Sequence, residues 1–210
     1  MSDFNYKIKT ELIPKINNIK NIKILELGVQ KGRSTFEFLK ICKNNEGKLF
    51  SVDIDDCSSI TSDINWKFIH SRDDNFSLIK NLIPNIVNVI FIDTIHEAKH
   101  VEKLIYGYYD HLDVGGYMFV DDVSSLPYLK GSKRDSFYCE INNNETLEKI
   151  IEIYNNNINN FDLNISYISS GLVIIKKKTE NKLLKPNTLY SRKSSFKNFL
   201  RKLWKILKKD

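Results

Sequence analysis

The chain has 210 residues, 41% hydrophobic and 28% charged, which suits one sizeable core with extensions and excludes a disordered chain or two full domains. No stretch approaches the roughly 18 uninterrupted apolar residues of a spanning helix, so a transmembrane protein is not expected. The net charge of +6 belongs to the tail, where residues 176–210 carry 13 Lys and Arg against Glu180 and Asp210; residues 1–175 carry 19 basic against 24 acidic side chains, so a basic nucleic-acid cleft is not expected either.

In chain order, the apolar residues Tyr6, Ile8, Leu12, Ile13, Ile16 and Ile19 predict an amphipathic helix interrupted near Pro14. The compact run Ile22-Lys-Ile-Leu-Glu-Leu predicts a buried strand, followed by a glycine turn (Gly28, Gly32) and a helix carrying Phe36, Phe38, Leu39 and Ile41. Further strands are predicted at 48–53, 66–70 and 88–93, then a helix carrying Val101, Leu104, Ile105 and Tyr108. A turn at Gly115-Gly116 leads into a strand over 117–121. This alternation predicts parallel βαβ units. A helix near 145–154 precedes two strand-like runs, 164–169 and 171–177; with no helix between them they form an antiparallel hairpin. Cys42, Cys57 and Cys139, odd in number and without metal-like spacing, read as reduced thiols, and the N-terminus lacks the basic and apolar regions of a secretory signal; the expected location is cytoplasmic.

The first turn, Glu26-x-Gly28-x-x-x-Gly32, lacks the three-glycine pattern of a dinucleotide site. An acidic strand end suits a ligand carrying an ammonium group, such as the methionyl end of S-adenosylmethionine. Asp53 closes the second strand 25 residues after Gly28, where a carboxylate accepts both ribose hydroxyls. Asp93 ends the fourth strand and Asp121-Asp122 the fifth, at the carboxyl edge where ligands of open α/β sheets bind. Three carboxylates that close repel unless a cation lies between them, and hard oxygen donors suit Mg²⁺ or Mn²⁺, or Ca²⁺. A solvated acidic rim is the simpler reading of the same three residues.

Glu26-Leu-Gly-Val-Gln-Lys-Gly32, Ser51-Val-Asp53-Ile-Asp55, Phe91-Ile-Asp93-Thr-Ile-His96-Glu and the run from Leu112 to Asp121-Asp122-Val resemble class I S-adenosylmethionine-dependent methyltransferases, over about residues 20–177. The nearest resemblance is to metal-dependent O-methyltransferases of the catechol and the macrocin or rhamnosyl sugar types. It implies a Rossmann-like α/β fold with a seven-stranded, mostly parallel sheet, an antiparallel edge strand and helices on both faces. It further implies cofactor contacts from Glu26, Gly28, Gly32 and Asp53, and a divalent metal on Asp93, Asp121 and Asp122. The catechol type carries Ser-Gln-Asp after the third strand for adenine; this chain has Ser71-Arg72-Asp73, so the resemblance implies cofactor contacts from Ser71 and Arg72 as well, with Arg72 departing from that pattern.

His96 stands where the catechol type has its general-base lysine and sugar-type relatives often have a histidine. An imidazole with an ordinary pKa of about 6.5 is available to take a proton at neutral pH, and Asp93 is the competing base. The overlapping His96-Glu97-Ala98-Lys99-His100 satisfies the zinc-protease H-E-x-x-H, but His96 lies only three residues past a strand end, and the match reads as accidental. The expected reaction is methyl transfer to a sugar or glycan hydroxyl; a small-molecule catechol or phenol acceptor and a non-catalytic binding module are the alternatives. Residues 1–178 are expected to form the methyltransferase domain and 179–195 a linker. The stretch 125–136, with Tyr128, Lys130, Lys133 and Arg134, is expected to close over the acceptor. Residues 196–210 form a basic amphipathic helix for peripheral contact with anionic lipid, a homodimer contact or docking on the domain.

Overall fold

The computed structural model describes residues 3–124, 126, 137–186, 188 and 195–207. Seven strands, β1 (Lys23–Leu27), β2 (Lys48–Asp53), β3 (Trp66–His70), β4 (Val87–Ile92), β5 (Leu112–Asp121), β6 (Phe161–Ser166) and β7 (Leu172–Lys177), form one sheet in the order β3-β2-β1-β4-β5-β7-β6. The first five run parallel, and β7 pairs antiparallel with both β5 and β6. The hairpin thus closes one side of the sheet as expected, with the reversed strand one place in from the edge. Strand order turns back between β1 and β4, the switch point at which open α/β sheets bind ligands.

Strand side chains alternate between two cores. Leu25, Leu27, Ile90, Ile92, Met118, Val120, Val173 and Ile175 face α5 (Ala98–Tyr108) and α6 (Phe137–Asn155). Ile24, Val89, Phe91, Phe119, Leu172 and Ile174 face α3 (Arg33–Asn44) and the N-terminal helical segment. That segment is α1 (Asp3–Lys7), a π turn (Ile8–Leu12) and α2 (Ile13–Ile16). Proline at position 14 cannot donate to the carbonyl four residues back. The chain widens before it, with the amide of Ile13 reaching the carbonyl of Ile8, and stays helical where an interruption was expected. Ile8, Leu12 and Ile16 then all bury completely. Strand β5 also begins earlier than the glycine pair suggested: Gly115 takes φ +84° inside it, and the register against β4 shifts between Val87 and Val89, so the expected turn is a bulge. The remaining helices are α4 (Phe76–Leu82) and α7 (Phe196–Leu207), and none of the described helices is long and apolar enough to cross a membrane.

Candidate active site

The carboxyl ends of β1, β2 and β4 border a cavity of about 380 Å³. Its wall comes from residues 28–31 after β1, 52–55 at the end of β2, Arg72 and Asp73 after β3, and 93–96 after β4, with Phe4 of α1 and Arg33 and Ser34 of α3. The ladder bonds continue past the strand ends, Gly28 N–H to Val52 O and Asp93 N–H to Leu27 O at 2.9 Å each, which brings these three loops together. Gly28 has φ +96°, and a Cβ there would lie 1.9 Å from the carbonyl oxygen of Asp93, so only glycine lets the first turn lie against the end of β4. Gly32 starts α3 in the left-handed region beside Ile60, behind the cavity wall rather than on it.

Asp53 stands in the wall as expected. Its Oδ2 accepts the amides of Val29 (2.7 Å) and Gln30 (3.0 Å), and Oδ1 accepts that of Asp55 (2.9 Å). Partial burial raises its pKa, but the amides of Gln30, Asp55, Val29 and Ile54 outweigh it and hold the carboxyl below its ordinary value. Arg72 and Asp73 line the cavity, and Arg72 is held in a fork by Asp74 at 3.0 and 3.2 Å. Ser71 does not reach the wall; its hydroxyl bonds the carbonyl of Arg72.

Glu26 is placed differently from expectation. It is 0% exposed and accepts hydroxyls from Ser34 (2.5 Å), Thr35 (2.8 Å) and Ser51 (2.6 Å) beneath α3, behind Ser34 of the cavity wall and not on the wall itself. Flanked by the buried Leu25 and Leu27 on a central strand, it points by alternation to the opposite core. There the N-terminus of α3 favours a negative charge. Burial, only partly offset by the three hydroxyls, pushes its carboxyl up to about 7.

Of the three carboxylates expected to share a metal, one is turned to a lysine and two to a histidine. Asp121, nearly fully buried, turns to the ammonium of Lys7, an ion pair between side chains 114 residues apart. Asp122, in the left-handed region at φ +56°, turns the other way, its Oδ2 3.3 Å from Nε2 of His96; Oδ1 of Asp93 is 3.6 Å from the same nitrogen. Desolvation, then the charges of Asp121 and Asp122, push Asp93 well above the ordinary carboxylate value, against the pull of Lys7. Burial likewise raises Asp121, with Lys7 opposing. Among the described residues no group of three or more His, Cys, Asp and Glu is arranged to hold a metal ion. The expected donor set therefore does not fit a divalent ion, because one of its members is already neutralised by a lysine.

Sequence reasoning missed Lys7, Phe4, Thr94 and Asp73. Only Asp73 had a signal, its place at the end of the serine-led triplet after β3. His100 is a partner of that same Asp73 at 2.8 Å, which leaves the H-E-x-x-H pair pointing to different neighbours. The acceptor loop at 127–136 lies outside the described residues, as do Lys208 and Lys209 of the tail.

Residues 25–123 match the family model for a methyltransferase domain. The match takes in just under half of the 210 residues. Three solved structures share its fold. The MycE methyltransferase of the mycinamycin biosynthetic pathway, in complex with Mg and SAH, is 16% identical with a TM-score of 0.60 over 86% of this chain and 52% of its own. The SAH-bound methyltransferase PaMTH1 of Podospora anserina is 15% identical with a TM-score of 0.61, over 75% and 72%. A Staphylococcus aureus protein described as a caffeoyl-CoA O-methyltransferase is 18% identical with a TM-score of 0.62, over 84% of both chains. The chain spans about half the length of MycE. No curated protein matches it by sequence.

Proposed function

We propose that the chain is an S-adenosylmethionine-dependent O-methyltransferase acting on a hydroxyl of a sugar or glycan. The observation that carries the reading is the single cavity whose wall holds the Gly28 turn and Asp53 together with Asp93 and His96. When bound there, S-adenosylmethionine supplies a methyl group on a positively charged sulfur. Asp53, already fixed by three loop amides, keeps lone pairs for the ribose hydroxyls. The Gly28 backbone admits the methionyl portion at close range, and Arg72 and Asp73 border the opposite end. His96 takes the acceptor's proton on Nε2 as the acceptor oxygen bonds to the methyl carbon and the carbon–sulfur electron pair returns to sulfur. Asp122 and Asp93, 3.3 and 3.6 Å from that nitrogen, hold the ring in place. In-line displacement then depends on alignment of acceptor and methyl group. No step runs through a metal. A histidine after Asp93, as in the sugar-type enzymes that the sequence resembles, supports a sugar over a catechol acceptor.

The test is calorimetric titration of the full chain with S-adenosylmethionine and S-adenosylhomocysteine. Micromolar binding is expected. Asp53→Ala should weaken it about 100-fold, since hydrogen bonds to a charged acceptor contribute about 1.5–3 kcal/mol each. No binding by the folded wild type overturns the reading.

The same proposal seats α7 on an anionic membrane surface, where an enzyme of lipid-linked glycans would work. The helix exposes Phe196 (73%), Trp204 (57%), Phe199, Leu200 and Leu203, with Lys197 and Arg201 also exposed. An apolar stripe flanked by basic residues suits the interface of a bilayer with negative headgroups. Co-sedimentation with vesicles containing phosphatidylserine, weakened by salt and reduced in Trp204→Glu, is expected. Equal recovery with phosphatidylcholine alone would remove the charge argument, and no recovery would remove the membrane.

A further inference from the structure

We infer that the ammonium of Lys7 occupies the position of a divalent cation at the β5 carboxylate, so that methyl transfer proceeds without a metal. The consequence for turnover rests on the methyl-transfer reading; the cation exchange itself does not.

Lys7 is 0% exposed, and its three donors have three acceptors. They are the carboxylate of Asp121, the hydroxyl of Ser170 at 2.8 Å and the carbonyl of Gly171 at 3.3 Å. The acceptors come from the end of β5 and from the turn before β7, and the donor from the last residue of α1. Gly171 holds φ +87° and lies against the residue after the Asp121–Val123 stretch: a Cβ on it would sit 2.5 Å from the amide nitrogen of Ser124. That close approach fixes the carbonyl beside Asp121. The Phe4 ring lies 5.6 Å from the ammonium, so the helix that supplies the cation also supplies a wall of the cofactor cavity.

Lysine and metal exclude each other here. A Mg²⁺ or Mn²⁺ ion requires oxygen donors arranged closely around it; Oδ1 of Asp121 is taken by Lys7 and by the amide of Asp122 at 2.8 Å, and an ion on Oδ2 would face the buried ammonium across one carboxylate, like charge against like. Releasing it would strand a fully buried ammonium, a strongly unfavourable state. With Asp121 drawn toward α1, the reversed backbone of Asp122 directs the second carboxylate to His96. Lys7 is accordingly a positioning residue: it neutralises one acid and leaves the other two to the histidine.

The test is titration of Mn²⁺ into the full chain without cofactor or acceptor, with free Mn²⁺ followed by electron paramagnetic resonance. Wild-type protein and Lys7→Arg are expected to leave millimolar Mn²⁺ free. Lys7→Met, which keeps the length and apolar stem but not the charge, is expected to gain one Mn²⁺ per chain, lost again in the double variant with Asp121→Asn. A folded Lys7→Met that gains no ion overturns the inference. So does a wild-type chain that binds one Mn²⁺ tightly and loses it in Asp121→Asn, a result that stands even if Lys7→Met fails to fold. Where cofactor binding is established, methyl transfer should be unchanged within twofold by chelation with EDTA; a loss restored by Mg²⁺ would also overturn it. Absence of cofactor binding would remove the methyltransferase reading and leave the Mn²⁺ result intact.

Discussion

Replacing His96 by alanine is expected to lower kcat about 10²- to 10⁴-fold, the usual contribution of a positioned proton acceptor, while affinity for S-adenosylhomocysteine stays within a few-fold of wild type. The imidazole is the side chain that both lines the cavity and approaches two carboxylates, Asp122 at 3.3 Å and Asp93 at 3.6 Å. His96→Gln keeps a polar group of similar reach and no basic nitrogen, so it should be as slow as alanine. The measurement is transfer of labelled methyl groups to the sugar and catechol acceptors that a screen returns. If Asp93→Asn is inactive and His96→Ala keeps its rate, the proton goes to Asp93 instead.

Glu26 should contribute strongly to the acid-to-neutral stability profile. Burial raises its carboxyl from the ordinary 4.5 to about 7. The folded protein therefore holds a proton that the unfolded chain releases, and the stability from this group is complete below pH 4.5 and lost as pH rises through about 7. A gap of that size is worth on the order of 3 kcal/mol. Urea unfolding at pH 4.5 and pH 8 should show Glu26→Gln gaining on wild type by about that much across the interval. Glu26→Ala should be destabilised at both values by about 3–5 kcal/mol, because it opens a cavity and leaves the hydroxyls of Ser34, Thr35 and Ser51 without their acceptor. A parallel pH profile for wild type and Glu26→Gln would show that Glu26 is ionised in the folded state throughout.

Much of the frame was legible because it is local. Short apolar runs separated by helical periods announce parallel strands, and two runs with no helix between them announce a hairpin; 48–53 and 66–70 match the observed strands residue for residue. Acids at strand ends necessarily reach the carboxyl edge, so Asp53 and Asp93 reach the cavity. Asp121 and Asp122 part because the left-handed backbone of Asp122, just past the end of β5, turns its carboxylate, a feature no neighbouring residue announces. One misplacement breaks a rule that was equally local, the alternation of side chains along a strand. Glu26, between two buried leucines in a central strand, had to enter the other core. Lys7 was different in kind. It sits among Tyr6, Ile8 and Leu12 like any flanking lysine of an amphipathic helix, and its partner is 114 residues away. Nothing in its neighbourhood announces burial, and only the packing of α1 on the sheet decides it.

The reversed strand has a consequence for synthesis. β7 lies between β5 and β6 although it is made after both, so on the ribosome the outer edge of β5 stays unpaired until the chain has passed residue 177. During that interval the nascent chain presents an open strand edge, the feature that recruits chaperones or misassembles with a neighbour. The same delay governs chemistry. Ser170 and Gly171, which complete the cradle of the Lys7 ammonium, emerge just before the edge closes. The seal on the sheet and the completed charge arrangement therefore arrive together, late in translation, and no earlier nascent fragment has both.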